Sequence, residues 1–297
     1  MITVKQSSET TGMILVLGSA ILGGIFPILI NRGVQTIPPL TFAAFTSLIG
    51  ALGAFFYSLQ QKTLSELHKR EAYFSLLMIT LCISFVPPIL LFIGTSKTNA
   101  LNTSLLALTE IIFTLIFTHF IGEKTTVPKL IGSLGILVGT SFILYRGTWK
   151  LNIGDIMIIL STALYPIGNF YGKKALRYVS PGSILVVRWV ISGLLLLFLA
   201  AFFDGTEQWL KIIREHWKLL IFNGFILYSL SKILWYESLK RLDISKAVSL
   251  VMTSYFFSFI ILVFLGEKIN LLQSIGVAIM TIGVIFSIRR KSILYEH

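Results

Sequence analysis

Three ionisable side chains stand inside long apolar runs, where each could bind an opposite charge or exchange a proton. Glu110 lies in Leu108-Thr109-Glu110-Ile111, near the centre of its run. An ionised carboxylate at that depth costs about 2.5–3.5 kcal/mol even on permissive insertion scales, so it must face water, find a partner or take up a proton. It can bind a cation or an amine, carry a proton, or accept hydrogen bonds that tie neighbouring helices together. Arg188 lies about six residues into its run and can grip a carboxylate with two parallel hydrogen bonds. It can equally snorkel to the interface or pair with an acid such as Glu110. Lys232 precedes Glu237 by five residues, a spacing poor for a same-face pair on a helix. Both are expected near the end of their span, away from the solute.

Polar and aromatic residues gather around these charges. Asn99, Thr103, Glu110 and Thr114 recur at helical spacing and predict a polar stripe facing a cavity. Pro27 and Pro166 each interrupt an apolar run near its middle, removing a backbone donor and freeing carbonyls that can bend a helix or meet a ligand. Matching positions make them candidate hinges, with Phe26, Tyr165 and Asn169 lining the same middle region. Trp189, Trp235 and Tyr255 could give flat aromatic walls, although such rings also serve as packing or as an interfacial belt. Pro87-Pro88 should bend its span, and His119 reads as a hydrogen-bonded structural histidine. Cys82 is the single cysteine, so no intrachain disulfide or cysteine zinc cluster can form. Four scattered histidines make no metal site, and Walker, HExxH and GxSxG patterns are absent. No cofactor, no metal and no enzymatic reaction are expected.

The elements that position these residues follow from composition. Of 297 residues, 55% are hydrophobic and 13% charged, with a mean hydropathy of +0.85. A water-soluble domain carries roughly 25% charged residues, so this chain belongs in a bilayer as an all-α integral membrane protein. A spanning helix needs about 20 apolar residues, and ten such runs can be read. They are Gly12 to Asn31, Leu40 to Leu59, Tyr73 to Gly94, Asn99 to Ile121, Pro128 to Tyr145, Gly154 to Tyr171, Pro181 to Phe203, Trp217 to Glu237, Ser245 to Leu265 and Leu271 to Ile288. The first is too long for a removable signal peptide and lacks a small-residue cleavage pattern. Of the connections, Gln60 to Ala72 and Asp204 to His216 are the longest polar ones, with room for a surface helix but not for a catalytic domain.

The net charge of +12 comes from lysines and arginines scattered between apolar runs, which argues against nucleic acid and for membrane orientation. One set of alternate connections, with both tails, holds fifteen Lys and Arg. The opposite set holds eight: Arg32, Lys97, Arg146, Lys150, Lys211, Arg214, Lys218 and Lys268. The positive-inside bias then places both termini in the cytoplasm, with Arg289, Arg290 and Lys291 directly after the last span.

The chain also repeats itself. Gly122-Glu123-Lys124 recurs as Gly266-Glu267-Lys268, an offset of 144 residues. At the same offset Leu106 meets Leu250, Thr109 meets Thr253, Phe113 meets Phe257, Phe120 meets Phe264, Gly132 meets Gly276, and Gly139 meets Gly283. These matches define two five-helix repeats, residues 1–147 and 148–297, and Tyr255 aligns with Ile111. Because five is odd, the second repeat enters the membrane from the opposite side. Inverted repeats suit alternating access, in which related halves exchange shapes around a central site. Duplication can also serve only to build a stable symmetric bundle. Gly135 and Gly139, with Gly132 a turn earlier, and Gly276 and Gly283 read as close-packing positions in the fifth and tenth spans, a homodimer interface being the alternative.

On these residues the chain resembles the EamA-like permeases of the drug/metabolite transporter superfamily, with ten helices in two repeats. The resemblance covers nearly the whole chain. It rests on the two Gly-Glu-Lys tripeptides, the Gly-rich fifth helices, Arg188 in span seven and Trp235-Tyr236-Glu237-Ser238-Leu239-Lys240 before span nine. Span two departs from span seven by carrying Thr46 near the place of Arg188. The resemblance implies a bacterial or archaeal inner-membrane carrier, commonly an exporter of amino acids or related small metabolites. Proton coupling through Glu110 and uncoupled facilitation both fit the sequence. A multidrug or nucleotide-sugar type carrier is the alternative within transport, although a phosphorylated solute would call for more buried cations than Arg188 and Lys232. A non-transporting scaffold or receptor is the alternative outside it. Either a monomer or a homodimer is compatible.

Overall fold

The computed structural model describes residues 2–122, 127–144, 152–266 and 270–288. Glu123, Lys124, Arg146, Lys150, Glu267, Lys268 and the Arg289-Arg290-Lys291 run lie outside the described residues. Among the described residues the structure is all-helical and forms ten segments. They are α1 (Ser8–Gly33), α2 (Pro39–Gln60), α3 (Arg70–Ser96), α4 (Ala100–Phe120), α5 (Val127–Leu144), α6 (Ile153–Ala175), α7 (Pro181–Phe203), α8 (Trp209–Leu239), α9 (Ile244–Phe264) and α10 (Leu271–Ile288). Eight are long and apolar enough to cross a bilayer, and α5 and α10 carry the shorter apolar stretches Leu130–Gly139 and Leu271–Phe286. Polarity is arranged for lipid: Phe120, Phe198, Phe202 and Leu271 point outward, whereas Thr41, Thr46, Ser161, Ser192 and Ser258 are buried. The core itself stays mostly apolar, with Phe42, Leu105 and Ile136 fully buried, and the small hydroxyl residues among them let membrane helices approach one another closely.

The duplication is written into the irregularities of the helices as well as into the sequence. A π-helical stretch interrupts α3 at Thr80–Phe85 and α8 at Phe222–Leu230, and the two overlap at the 144-residue offset. In α4 the helix tightens to a 3₁₀ turn at Ala107–Thr109, and α9 breaks into a turn at the matching Met252 and Thr253. The Thr109 hydroxyl donates to Leu106 O at 2.7 Å, and the Thr253 hydroxyl to Leu250 O at 2.7 Å. Gly122 and Gly266 end α4 and α9 with φ of 84° and 81°, the left-handed conformation that closes a helix and favours glycine.

Antiparallel pairs of helices join the repeats, two of them most extensively. In the first, α5 lies on α10 at backbone contact, because Gly135 faces Gly283 and Gly139 faces the Gly276 carbonyl. Those glycines therefore serve packing within the chain. In the second, α2 lies on α7, and each helix is capped by a carboxylate from beyond the other's C-terminal end. Asp204 Oδ2 accepts from Thr41 N at 2.8 Å and Thr41 Oγ1 at 2.9 Å. Glu66 Oε2 accepts from Ser180 N at 2.6 Å and Ser183 Oγ at 3.0 Å. Both satisfy orphan donors and place negative charge at a helix N-terminus.

Partial burial pushes the Glu66 carboxyl up, but the hydrogen bonds from Ser180 and Ser183 and the charge of Lys69 outweigh it and hold it below its ordinary value. A depressed folded-state value stabilises the fold above the ordinary glutamate pKa, and that stability is lost as pH falls through the lowered value. Acidification below about pH 4.3 should therefore weaken the wild type more than Glu66→Gln, as thermal melts across pH 3–6 would register.

The structure specifies three expected details. The helix for which the Asp204 to His216 connection had room is present as the first turns of α8, which begins at Trp209; the Trp209 ring packs edge-on against Phe45 at 5.7 Å. The bend expected from Pro87-Pro88 is prepared upstream by the π-helical stretch, and both prolines sit in the first turn of the following helix, where missing N–H groups cost little. His119 is exposed, with its ring 6.1 Å from that of Phe120, and holds no buried hydrogen-bonding position among the described residues.

Candidate functional site

A central cavity of about 140 Å³ lies between the repeats. Matching helices supply its walls: α1 and α6 (Ser19, Phe26, Pro27 and Thr162, Tyr165, Asn169), α3 and α8 (Pro88 and Tyr228, Ser231, Lys232, Trp235), and α4 and α9 (Thr103, Glu110 and Ser254, Tyr255). The pairing fails at one place, since α7 contributes Arg188 and Trp189 whereas α2 contributes no wall residue. Thr46 of α2 is instead buried, its hydroxyl unpartnered among the described residues.

Glu110 opens the second half of α4 immediately after the 3₁₀ turn, and only 7% of it is exposed. Asn169 Nδ2 donates to Glu110 Oε1 at 3.2 Å across the repeat boundary. Nearby, the hydroxyls of Thr109 and Thr162 meet at 2.9 Å, again joining α4 to α6. Arg188 is 1% exposed and does not pair with Glu110. Its Nη1 donates to the Tyr236 hydroxyl at 2.8 Å, and its guanidinium lies 4.0 Å from the centre of the Trp189 ring. Trp189 is fixed in turn by a 3.1 Å hydrogen bond to Tyr228 O and by the Tyr228 ring at 4.5 Å, which also meets Phe26 at 5.7 Å.

Most of the residues singled out from sequence come together here: Glu110, Phe26, Pro27, Tyr165, Asn169, Arg188, Trp189, Trp235, Tyr255 and Thr103 all line the cavity. Asn99 does not. It stands exposed just before α4, and its side chain caps the helix by accepting from Asn102 N at 2.8 Å. Thr114 is buried outside the cavity lining. Pro166 also lies off the cavity, inside a helix that runs unbroken through it. Pro27 differs, because α1 is interrupted at Gly24 and Ile25 and the Gly24 carbonyl accepts a hydrogen bond from the Ser258 hydroxyl. The two prolines therefore stand in different local geometries. Lys232 corrects the sequence reading: it lines the cavity, while Glu237 turns away to Lys240 at 2.9 Å and Arg241 at 2.8 Å. Tyr228 carried no signal beyond its aromatic type, and Tyr236 none beyond its place in the Trp235 to Lys240 stretch.

Corresponding polar contacts bridge the repeats at opposite ends of α1 and α6. At the end of α1, Asn31 Nδ2 donates to Thr98 O at 3.1 Å, and Asp155 of α6 accepts from Thr98 Oγ1 at 2.7 Å and from Asn102 Nδ2 at 3.2 Å. At the end of α6, Lys173 Nζ donates to Leu242 O at 2.5 Å and lies 3.7 Å from Asp243, and Glu9 of α1 accepts from Lys246 at 2.5 Å. The partners in these two sets correspond at offsets of 142–146 residues. Glu9 and Asn31, at opposite ends of α1, are separated by 22 residues, about 33 Å of helix, close to the thickness of a bilayer core.

Two successive stretches of the chain, residues 10–145 and 152–289, match one and the same family, the EamA-like transporter family. The chain belongs to that family. Its relatives include the uncharacterized transporter YoaV of Bacillus subtilis, 25% identical over 243 residues that cover 79% of this chain and 82% of the relative. An uncharacterized transporter of Methanothermobacter thermautotrophicus is 23% identical over 294 residues, covering 92% and 84%. The crystal structure of another protein, 16% identical, shares the fold with a TM-score of 0.72 and covers 94% of this chain and 96% of its own. The EamA duplication thus accounts for a multi-pass membrane protein whose paired irregular helices surround one cavity.

Proposed function

We propose that this EamA-like protein is a secondary transporter that exports small metabolites from the cytoplasm by alternating access, in the plasma membrane of a bacterium or archaeon and with both termini cytoplasmic. The observation that carries this reading is the cavity itself: matching helices of both repeats wall it, and corresponding polar contacts bridge the repeats at each end. Solute would bind among Glu110, Arg188, Lys232 and the aromatic walls, and the two sets of bridging contacts would open in alternation. Proton coupling would run through Glu110, the carboxylate of the site.

The test needs no guess about the solute. Metabolites are compared inside and outside cells that express the wild type, Glu110→Gln or an empty vector. A solute class that accumulates outside only with the wild type supports export and names the substrate. Equal profiles from all three would sink export under those conditions. In vesicles loaded with that solute, Glu110→Gln should abolish the dependence of flux on a pH gradient. Unchanged dependence would remove Glu110 from coupling and leave transport standing.

A further inference from the structure

The cavity holds more positive than negative charge. Its charged lining residues are Glu110, Arg188 and Lys232, among the described residues. From this imbalance, and resting on the cavity as the solute site, we infer that Arg188 and Lys232 together hold the head group of a small organic monoanion of the carboxylate class, with an uncharged apolar body.

The two cations differ from those at the ends of the bundle. Lys173, Lys240, Arg241 and Lys246 each hold a carboxylate within 4 Å. Neither Arg188 nor Lys232 has such a partner among the described residues, and Arg188 Nε is buried with no hydrogen-bond acceptor. Buried charges are ordinarily paired, and a buried donor left unmade is costly. Among the described residues no carboxylate takes that place, and a solute's own acceptor would complete it. Glu110 offsets one cation, and a single negative charge on the solute offsets the other. A zwitterion would leave the excess unchanged, and an amine would add to it. Stacking on Trp189 and the bond to Tyr236 fix the plane of the guanidinium, which suits arginine to a planar carboxylate. Phe26 and Trp235 face the same space and supply an apolar wall for the remainder of the solute.

Two compound ladders test this on the purified full chain in nanodiscs. One consists of benzoate, benzyl alcohol, benzylamine and phenylalanine; the other of isovalerate, isoamyl alcohol, isoamylamine and leucine. Binding is read by quenching of tryptophan fluorescence and by displacement. The carboxylate is expected to bind tightest in at least one ladder. Arg188→Gln and Lys232→Gln should each weaken it about tenfold or more, while the matching alcohol binds as before, which also shows that the variant is folded. Lys232→Arg should restore binding. Glu110→Gln should strengthen the carboxylate, a change of sign that a merely structural role would not give. The inference falls if the amine or the amino acid binds tightest in both ladders, if no carboxylate binds, or if alcohol and carboxylate weaken in parallel. Counterflow of the same compounds in liposomes separates the two readings. Carboxylate binding without flux would leave the anion site standing and sink transport, whereas flux of amines without carboxylate binding would do the reverse.

Discussion

Joining the start of α4 to the start of α6 with a short thiol cross-linker, through Asn102→Cys and Asp155→Cys, is expected to abolish solute flux and leave solute binding measurable. The same outcome is expected at the opposite end from Lys246→Cys with Glu9→Cys. In the structure the helices are bridged at both ends, at the first by hydrogen bonds to Asp155 and at the second by the pair of Lys246 with Glu9. A carrier that works by alternating access must open each in turn. Either tether alone should therefore stop the cycle completely, and cleavage of the linker should restore it. Cys82→Ser removes the single native thiol and provides the background for these variants. Flux that persists with one end demonstrably joined would exclude alternation at that end.

The second large effect concerns folding. Gly283→Ala is expected to destabilise the protein by about 1–3 kcal/mol, the usual result of adding volume where none exists. A methyl group there would stand 2.6 Å from Gly132 O and 3.0 Å from Ile136 N. Both are backbone atoms of α5, so relief requires the two helices to separate. At Gly139 the added carbon would meet Gly276 O at 2.6 Å, and a similar loss is expected. Gly18→Ala is the control, because its nearest neighbour is the flexible Leu234 Cδ1 at 3.5 Å. Melting curves in detergent should fall for Gly283→Ala and Gly139→Ala and stay near the wild type for Gly18→Ala. Equal curves for all three would show that α5 and α10 are not held at backbone contact.

Much of this architecture was legible in the sequence because duplication leaves the same residues at the same distance twice. The offset of 144 picked out Thr109 with Thr253 and Gly122 with Gly266, and each pair performs the same backbone task in its half. Glu110 and Arg188 were legible because charge inside an apolar run is expensive and so stands out. Lys232 gave the same signal but was set with Glu237 near the end of the span. The wall residues Tyr228, Ser231, Lys232 and Trp235 recur at helical spacing on one face of α8, and Glu237 stands on another. Asn99 failed for another reason: its spacing matched Thr103, but the helix starts one residue later, where asparagine is preferred as a cap. Pro27 and Pro166 look alike in sequence because the neighbour that separates them is distant: Ser258 takes the carbonyl freed in α1.

The exchange of caps between α2 and α7 bears on how such a chain could have arisen. Each repeat ends its second helix in a loop whose carboxylate completes the second helix of the other repeat, not its own. A solitary five-helix half would leave the start of that helix unfinished. A second half of opposite orientation would supply the missing cap, so an ancestral single-repeat protein inserted both ways round could already assemble the pair that fusion later made permanent.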